Sequence, residues 1–316
     1  MRNEPKSSKS SKSSNSKQNQ QVMFLVLLLL VSILGFELVR GRLSAGKRKR
    51  DKEPATAMDT TKRAPEKKET AADSIAKVLT PSAFRQEQLK ATRVKDAYKL
   101  KGDSMQAAYK RAGIDANSLN VYIRAFKEEK ILEVWAKDKT KDSYTLLKTY
   151  KFCKSSGKLG PKRKAGDDQI PEGFYKIDRF NPQSRYLLSL GLNYPNKVDK
   201  KLCDTTDLNN DIFIHGGCTT IGSIPISDDK IRELYIITID ARSAGQKNIP
   251  VSIFPTHMTD ANMRSLKVQY QDEPQTLKFW ASLRKGYLAF ESCKRLPSIT
   301  LTDKGEYICK SDCGGN

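Results

Sequence analysis

Chemically reactive side chains are concentrated in residues 214–227, which read IHGGCTTIGSIPIS. A histidine (His215), a thiol (Cys218) and a hydroxyl (Ser223) lie within nine residues of one another there. Thiols and hydroxyls act as nucleophiles when a neighbouring base takes their proton and N–H groups stabilise the oxyanion that forms. The segment therefore predicts nucleophilic chemistry, with His215 as the base and either Cys218 or Ser223 as the nucleophile.

The same segment also has a simpler interpretation, as ordinary backbone turns. Gly216, Gly217 and Gly222 would then be turn residues, and Cys218 would be a small buried apolar side chain. Under the catalytic interpretation, Gly222 and Ser223 would instead present backbone N–H groups to a substrate carbonyl. These residues alone leave both interpretations open.

Predicted strands on both sides of this segment would position its side chains. Apolar alternation and continuous apolar runs predict strands at 119–126, 131–138, 144–153, 172–180, 185–194 and 211–217. Ser227, followed by two aspartates, predicts the start of a helix over 230–245. A strand at 251–254 and a helix around 279–290 follow. Strands in succession with helices at the edges predict an α+β fold that is mainly β.

The first part of the chain predicts a targeting segment and a tether. Residues 1–21 are almost devoid of apolar side chains and predict a disordered basic tail. The uncharged run VMFLVLLLLVSILGF (22–36) predicts a signal anchor or a cleaved signal peptide within 22–39. Residues 40–80 are highly charged and predict a flexible linker. The remainder of the chain is therefore expected to be exported.

A helical segment is predicted between the linker and the strands, over 81–116. Its apolar residues recur at helical spacing and Gly113 ends the run. The residues of this apolar stripe are Val94, Ala97, Tyr98, Met105, Ala108 and Tyr109.

The net charge and the cysteine and histidine content limit the kinds of partner that this chain is expected to bind. The formal net charge is +21, which favours an anionic partner such as nucleic acid, a membrane surface or an acidic cell-wall polymer. Zinc-finger spacing, a basic heptad region and an RNP-like run are all absent from the sequence, which argues against nucleic acid. None of the six cysteines forms a C-x-x-C pair, and there are two histidines, so no metal site is predicted. Disulfides are permitted in an exported chain, but the spacing does not select the pairs.

Three segments resemble the L,D-transpeptidase (YkuD-type) catalytic domain family, in its YafK-like murein transpeptidase branch. They are GKLGPKRKAGDDQIPEGFYKI (157–177), LSLGLNYPN (188–196) and IHGGCTTIGSIPI (214–226). The match extends in order from about Arg93 to Met258. It implies a β-sandwich or barrel catalytic domain over 117–260, with an N-terminal helix and flanking helices. Residues 261–316 are then expected to form a C-terminal helical extension and tail.

The resemblance also implies an activity and its partners. The family uses a cysteine to attack a carbonyl in the stem peptide of peptidoglycan, and an amine or water then resolves the thioester. It implies cross-linking, attachment of an envelope lipoprotein, or hydrolysis of such links, with no cofactor and no metal. The expected location is the bacterial envelope, in the periplasm and tethered to the inner membrane, or secreted if the signal is cleaved.

By position, the resemblance implies that His215 is the base. The family pattern Ser/Thr-x-Gly-Cys is matched from Thr220 to Ser223, so a serine stands where the family has its nucleophilic cysteine. Three hypotheses follow. The protein is catalytically inactive but still binds peptidoglycan, Ser223 acts as a slow nucleophile, or Cys218 has replaced it as the nucleophile. The Gly222–Ser223 backbone would form the oxyanion hole. The substrate-binding candidates are Thr220, Gly216, Lys162 and Arg163, the last two in a basic loop whose simpler interpretation is a solvated surface.

Overall fold

The structure is a computed structural model that describes residues 80–203, 211–302 and 305–313. The predicted basic tail (1–21), signal segment (22–39) and linker (40–80, apart from Thr80) lie outside the described residues, so these assignments stay predictions. Within the described ranges, none of the helices combines the length and the apolar character that crossing a membrane requires.

Two helices precede the sheet. Helix α1 (Pro81–Leu89) begins where the Thr80 hydroxyl accepts a hydrogen bond from the Ala83 N–H, and Pro81 occupies its first turn. Helix α2 (Thr92–Arg111) buries most of the predicted apolar stripe and ends before Gly113, whose φ of 65° stops the helix. The helical spacing of the sequence is therefore reproduced in the structure.

Eight strands form one mixed sheet. They are β1 (Leu119–Phe126), β2 (Ile131–Asp138), β3 (Thr145–Lys151), β4 (Gly173–Asn181), β5 (Ser189–Leu192), β6 (Phe213–His215), β7 (Ile224–Pro225) and β8 (Ile249–Phe254). Their order is β3-β2-β1-β8-β4-β5-β6-β7. The β1–β8 and β6–β7 pairs are parallel, and the other neighbours are antiparallel.

The predicted strands are all present, and one strand of this sheet was missed. β1 and β2 have the predicted bounds, whereas β5 and β6 are shorter than the apolar runs that predicted them. The missed strand is β7, which is only two residues long and so leaves no periodic pattern in the sequence. The α+β, mainly β, fold class is confirmed.

Helices cover both faces of the sheet. On one face, α2 and helix α4 (Asp228–Ser243) pack on a core that includes Val121, Ile123 and Leu190. On the other face, helices α5 (Asp260–Gln269) and α6 (Pro274–Cys293) belong to a second core. Side chains alternate between the two faces of β1, so this strand contributes to both cores. Ile123 belongs to the first core and Phe126 to the second.

Three further elements lie outside this sheet. Helix α3 (Lys197–Leu202) begins with a capping box formed by Asn196 and Asp199. A separate hairpin is formed by β9 (Ser298–Leu301) and β10 (Tyr307–Lys310), and β10 packs on α6. The C-terminal extension was expected to be helical, so this hairpin is a difference from the sequence analysis.

His257 belongs to an ionic network between the sheet and α6, as expected for a histidine without a catalytic role. Its Nδ1 lies 2.9 Å from Glu129 Oε1, and its Nε2 lies 3.5 Å from Glu133 Oε1. The ring stacks on Phe126 with centroids 3.8 Å apart. The hydrogen bonds to Glu129 and then Glu133 raise the pKa of His257 to about 9.

This network predicts a specific pH dependence of stability. A histidine pKa raised from 6.5 to about 9 on folding stabilises the protein fully below pH 6.5, and this stabilisation is lost as the pH rises through about 9. The difference in free energy of unfolding between the wild type and His257→Asn should therefore shrink across that interval, as measured by urea unfolding at a series of pH values. His215→Asn is the control. Burial lowers the pKa of His215, so the difference in free energy of unfolding between the wild type and this variant should not shrink across the same pH interval. A constant difference for His257→Asn would contradict the assignment.

Candidate active site

His215 is the last residue of β6, and its imidazole is held in one tautomer. The ring Nδ1 lies 2.5 Å from the Gly216 carbonyl oxygen. Because a carbonyl can only accept, Nδ1 carries the hydrogen, and Nε2 of the neutral ring is left as an acceptor. Tyr186 stacks on the imidazole with ring centroids 4.4 Å apart. The ring is thus fixed both by a backbone hydrogen bond and by an aromatic neighbour.

The surroundings of His215 keep its imidazole neutral. Burial lowers the pKa of His215, and the hydrogen bond to Gly216 opposes this to a smaller extent. A neutral imidazole with a bare Nε2 is the form that a general base requires. Within the described part of the chain, no carboxylate hydrogen-bonds to this ring, which is oriented by the Gly216 carbonyl and the stacked Tyr186 ring.

Ser223 lies immediately before β7, and its hydroxyl oxygen contacts the backbone of β6. In the parallel β6–β7 pair, Ile214 is opposite Ile224, and both are fully buried in the first core. Ser223, immediately before Ile224, therefore lies at the end of β7 that is next to Phe213 in β6. The Phe213 N–H donates to Ser223 Oγ at 3.1 Å, which holds the hydroxyl beside the strand that carries His215.

The turn between these strands is held by its neighbours. The Gly222 N–H donates to Ser156 Oγ at 2.8 Å, and the Thr220 hydroxyl donates to the Ser223 carbonyl at 2.6 Å. Gly222 has a φ of 121°, and a Cβ there would lie 3.0 Å from the Gln169 carbonyl oxygen. In this structure the Gly222 N–H, predicted as an oxyanion donor, donates to Ser156, and the Thr220 hydroxyl, predicted to bind substrate, donates to the Ser223 carbonyl. Their predicted roles stay predictions.

A disulfide joins Cys218 in this turn to Cys153, with Cα atoms 5.4 Å apart. The Cys153 N–H also donates to the Pro225 carbonyl at 3.0 Å, so the segment after β3 contacts the turn at both ends. Cys218 was a candidate nucleophile, but a disulfide sulfur carries no thiolate, so the bond must be reduced before Cys218 can attack. A second disulfide links Cys293 to Cys313.

Gly216 is required by packing. A Cβ at this position would lie 2.5 Å from the Tyr186 carbonyl oxygen and 2.6 Å from Asp228 Oδ1. Asp228 Oδ1 in turn accepts the Gly217 N–H at 2.7 Å. Ser227 precedes α4 as predicted, but its side chain makes no capping hydrogen bond, and its φ is 73°. The helix therefore reaches back to the turn through Asp228, a contact that the spacing alone does not reveal.

The basic loop before β4 differs from the sequence-based expectation. Lys162 is fully buried and its ammonium pairs with Asp167, so it faces neither solvent nor a bound peptide. Arg163 is partly buried, with its guanidinium carbon 5.3 Å from the centre of the Phe279 ring. Its Nη1 is buried and has no hydrogen-bond partner among the described residues.

A cavity of about 640 Å³ lies along this loop. Lys158, Arg163, Lys164 and Gln169 are among the residues that line it. Because the Gln169 carbonyl also contacts Gly222, the cavity adjoins the turn that carries Ser223. Lys164 belongs to the basic loop that was expected to face an anionic peptide or solvent. Lys158 was not predicted as a site residue, since an exposed lysine in a basic chain carries no distinguishing signal.

A buried ion pair fixes the loop. Lys127, directly after β1, pairs with Glu172 Oε1 at 3.0 Å and donates to the carbonyls of Gly160 at 2.8 Å and Ile170 at 2.9 Å. Glu172 also accepts the Gly160 N–H at 2.8 Å and the Trp280 indole N–H at 2.6 Å. Burial lowers the pKa of Lys127, against the opposing effect of Glu172. Both ends of the loop are therefore tied to the sheet and to α6.

Comparison with known proteins relates the chain to YafK of Escherichia coli. No protein-family model matches the chain. YafK of Escherichia coli strain K12, whose name assigns it to the L,D-transpeptidases, is 37% identical over 191 residues, covering 60% of this chain and 73% of YafK. YafK of Escherichia coli O157:H7 matches with the same figures.

The solved structures that resemble this chain are more distant. The helical cell shape determining protein Pgp2 from Campylobacter jejuni has 20% identity and a TM-score of 0.35, covering 59% of this chain and 74% of Pgp2. Bd1075 of Bdellovibrio bacteriovorus has 20% identity and a TM-score of 0.31, covering 53% of this chain and 59% of that one. Nothing is inferred from likenesses at these scores.

We expect residues 216–223 to become less ordered when the disulfide at this turn is removed. Cys153→Ala with Cys218→Ala should lower the free energy of unfolding by about 2–4 kcal/mol, because the unfolded chain loses a cross-link. Amide hydrogen exchange of residues 216–223 should rise more than that of β1. Cys293→Ala with Cys313→Ala is the matched control, and it should leave exchange in the turn unchanged. Equal exchange in the turn with and without the Cys153–Cys218 bond would show that the bond does not hold it.

Proposed function

Because this chain belongs to the L,D-transpeptidase family, as its relation to YafK establishes, we propose that it performs acyl transfer on the stem peptides of bacterial peptidoglycan. The observation that carries the proposal is that Ser223 lies beside the strand that ends at His215, where its Oγ accepts the Phe213 N–H at 3.1 Å. His215 is neutral with Nε2 as acceptor, and Ser223 occupies the position of the family's nucleophile.

The proposed reaction uses these two side chains in order. Nε2 of His215 takes the hydroxyl proton of Ser223 as Oγ attacks a carbonyl carbon of the stem peptide. The tetrahedral intermediate collapses, the C–N bond breaks, and the imidazolium returns its proton to the leaving amine. The resulting ester is attacked by an amine, which forms a new amide, or by water, which completes a hydrolysis.

Serine makes this reaction slow. A thiol beside an imidazole can form a thiolate–imidazolium pair, whereas a serine hydroxyl is far less acidic and relies on the base during attack. Here the base is weakened by burial and is oriented by a carbonyl in place of a carboxylate. The same two observations favour a second candidate function, a protein that binds peptidoglycan without turning it over.

Acceptor and location form part of the proposal. We propose an amine of a neighbouring stem peptide or of an envelope lipoprotein as the acyl acceptor. Two disulfides support an oxidising compartment. The apolar run at 22–36 supports export, with the chain tethered to the inner membrane by a signal anchor or released after cleavage. The net charge of +21 supports contact with an anionic wall.

Restoring the thiol tests the proposed chemistry. The full chain and its Ser223→Cys variant are incubated with tetrapeptide muropeptides, and acyl adducts and products are followed by intact mass and chromatography. Ser223→Cys should react faster by about two to four powers of ten, and His215→Ala should abolish the reaction in both backgrounds.

Controls separate the two candidate functions. Ser227→Cys adds a thiol four residues away and should remain as slow as the parent chain. Wall binding is measured in parallel by co-sedimentation with purified sacculi. Binding without any adduct in the parent chain, together with reaction of Ser223→Cys, identifies the binding function. An inert Ser223→Cys variant that also fails to bind sacculi would refute both.

A further inference from the structure

A second cavity, of about 610 Å³, lies away from the turn that carries Ser223. It is bounded by β4, β8, the first turn of α3 and the β9 strand of the C-terminal hairpin, and neither His215 nor Ser223 lines it. The volume is within the range of small-molecule sites. The proposed acyl transfer makes no use of it.

The inner wall of this cavity presents a directed hydrogen-bond donor. Tyr122 and Ser252 both line it, and each is 3% exposed. The Tyr122 hydroxyl donates to Ser252 Oγ at 2.8 Å. The Ser252 hydroxyl hydrogen has no acceptor among the described residues and is therefore available to a carbonyl or carboxylate of a ligand.

The rim of the cavity is cationic. Lys176, Lys197 and Lys200 line it with exposed side chains, and none of them pairs with a carboxylate in the described ranges. Asp199 lies between two of these lysines in α3 but is 1% exposed, and its carboxylate is bonded by the Tyr175 hydroxyl and the Asn196 N–H. None of the lining residues is acidic, so the cavity selects for anions.

The remaining walls are apolar. Phe174, Leu296, Ile299 and Leu301 line the cavity, with Pro250 and Pro297 beside them. Such walls accept methyl groups, while the lysines and Ser252 accept oxygen atoms. The complementary ligand therefore combines methyl-bearing groups with carboxylates and carbonyls.

We infer that this cavity binds the sugar-proximal part of a peptidoglycan stem, an N-acetylated lactyl sugar joined to a short acidic peptide. This part supplies acetyl, lactyl and alanyl methyl groups for the apolar walls, carbonyls for Ser252 and carboxylates for the lysines. The inference rests on the proposed function for its choice of polymer. It adds a second wall contact that holds a glycan strand apart from the reacting peptide.

The test is calorimetric titration of the full chain with N-acetylmuramyl-L-alanyl-D-glutamate. This probe lacks the later stem residues at which acyl transfer takes place, so its binding is independent of chemistry at residue 223. Lys197→Ala with Lys200→Ala should weaken binding about tenfold at low salt. Ser252→Ala should weaken it about fivefold, through loss of one hydrogen bond. Lys95→Ala with Lys99→Ala, on the exposed side of α2, is the charge-matched control and should bind as the parent does.

Each outcome decides the inference. Saturable binding that is lost in the cavity variants and kept in the control supports it. No binding of the probe, or equal weakening in the control, overturns it. Sacculus binding by the parent chain without probe binding would leave the proposed function standing and refute the cavity's role. The proposed function itself falls only if Ser223→Cys is inert and also fails to bind sacculi.

Discussion

The site depends on the buried pair of Lys127 and Glu172. Two buried charges are tolerated only when each is paired and its remaining hydrogen-bonding capacity is used. Here that condition is met by Gly160, Ile170 and Trp280, which belong to the loop before β4 and to α6. Satisfying the charges therefore requires these elements to meet at one point. The ion pair therefore fixes the position of the loop, including the Gln169 carbonyl. Because this carbonyl lies against Gly222, the pair also helps to position the turn with Ser223.

Most of the secondary structure could be predicted because it depends on the spacing of apolar residues within short segments of the sequence. The apolar stripe of α2 and the alternation of β1 and β2 depend on neighbours within a few residues. β7 could not be predicted, because two residues have no period and its partner is chosen by a parallel register. The hairpin of β9 and β10 is largely exposed, so it lacks the apolar alternation that reveals a strand.

The site residues also fall into two groups, those that the local sequence indicates and those whose roles depend on distant partners. His215 and Ser223 could be proposed from the sequence because they are close along the chain, and the structure places Ser223 beside the strand that ends at His215. The roles of Gly216, Gly222 and Lys162 depend on distant partners: Tyr186 and Asp228, Ser156, and the fold of the basic loop. Residue type and spacing cannot report such partners. The pairing of Cys218 with Cys153, separated by 65 residues, is a further example.

The stacking of Tyr186 on His215 has a stereochemical consequence. The lone pair of Nε2 lies in the plane of the imidazole, and the aromatic ring shields one face of that plane. Because the lone pair lies in the ring plane, a hydrogen-bond donor reaches Nε2 edge-on, and the face that Tyr186 covers is closed to other groups. If the proposed acyl transfer takes place here, Tyr186 would restrict the side from which a stem peptide approaches the imidazole, so an uncharged side chain would guide the approach to the proposed base.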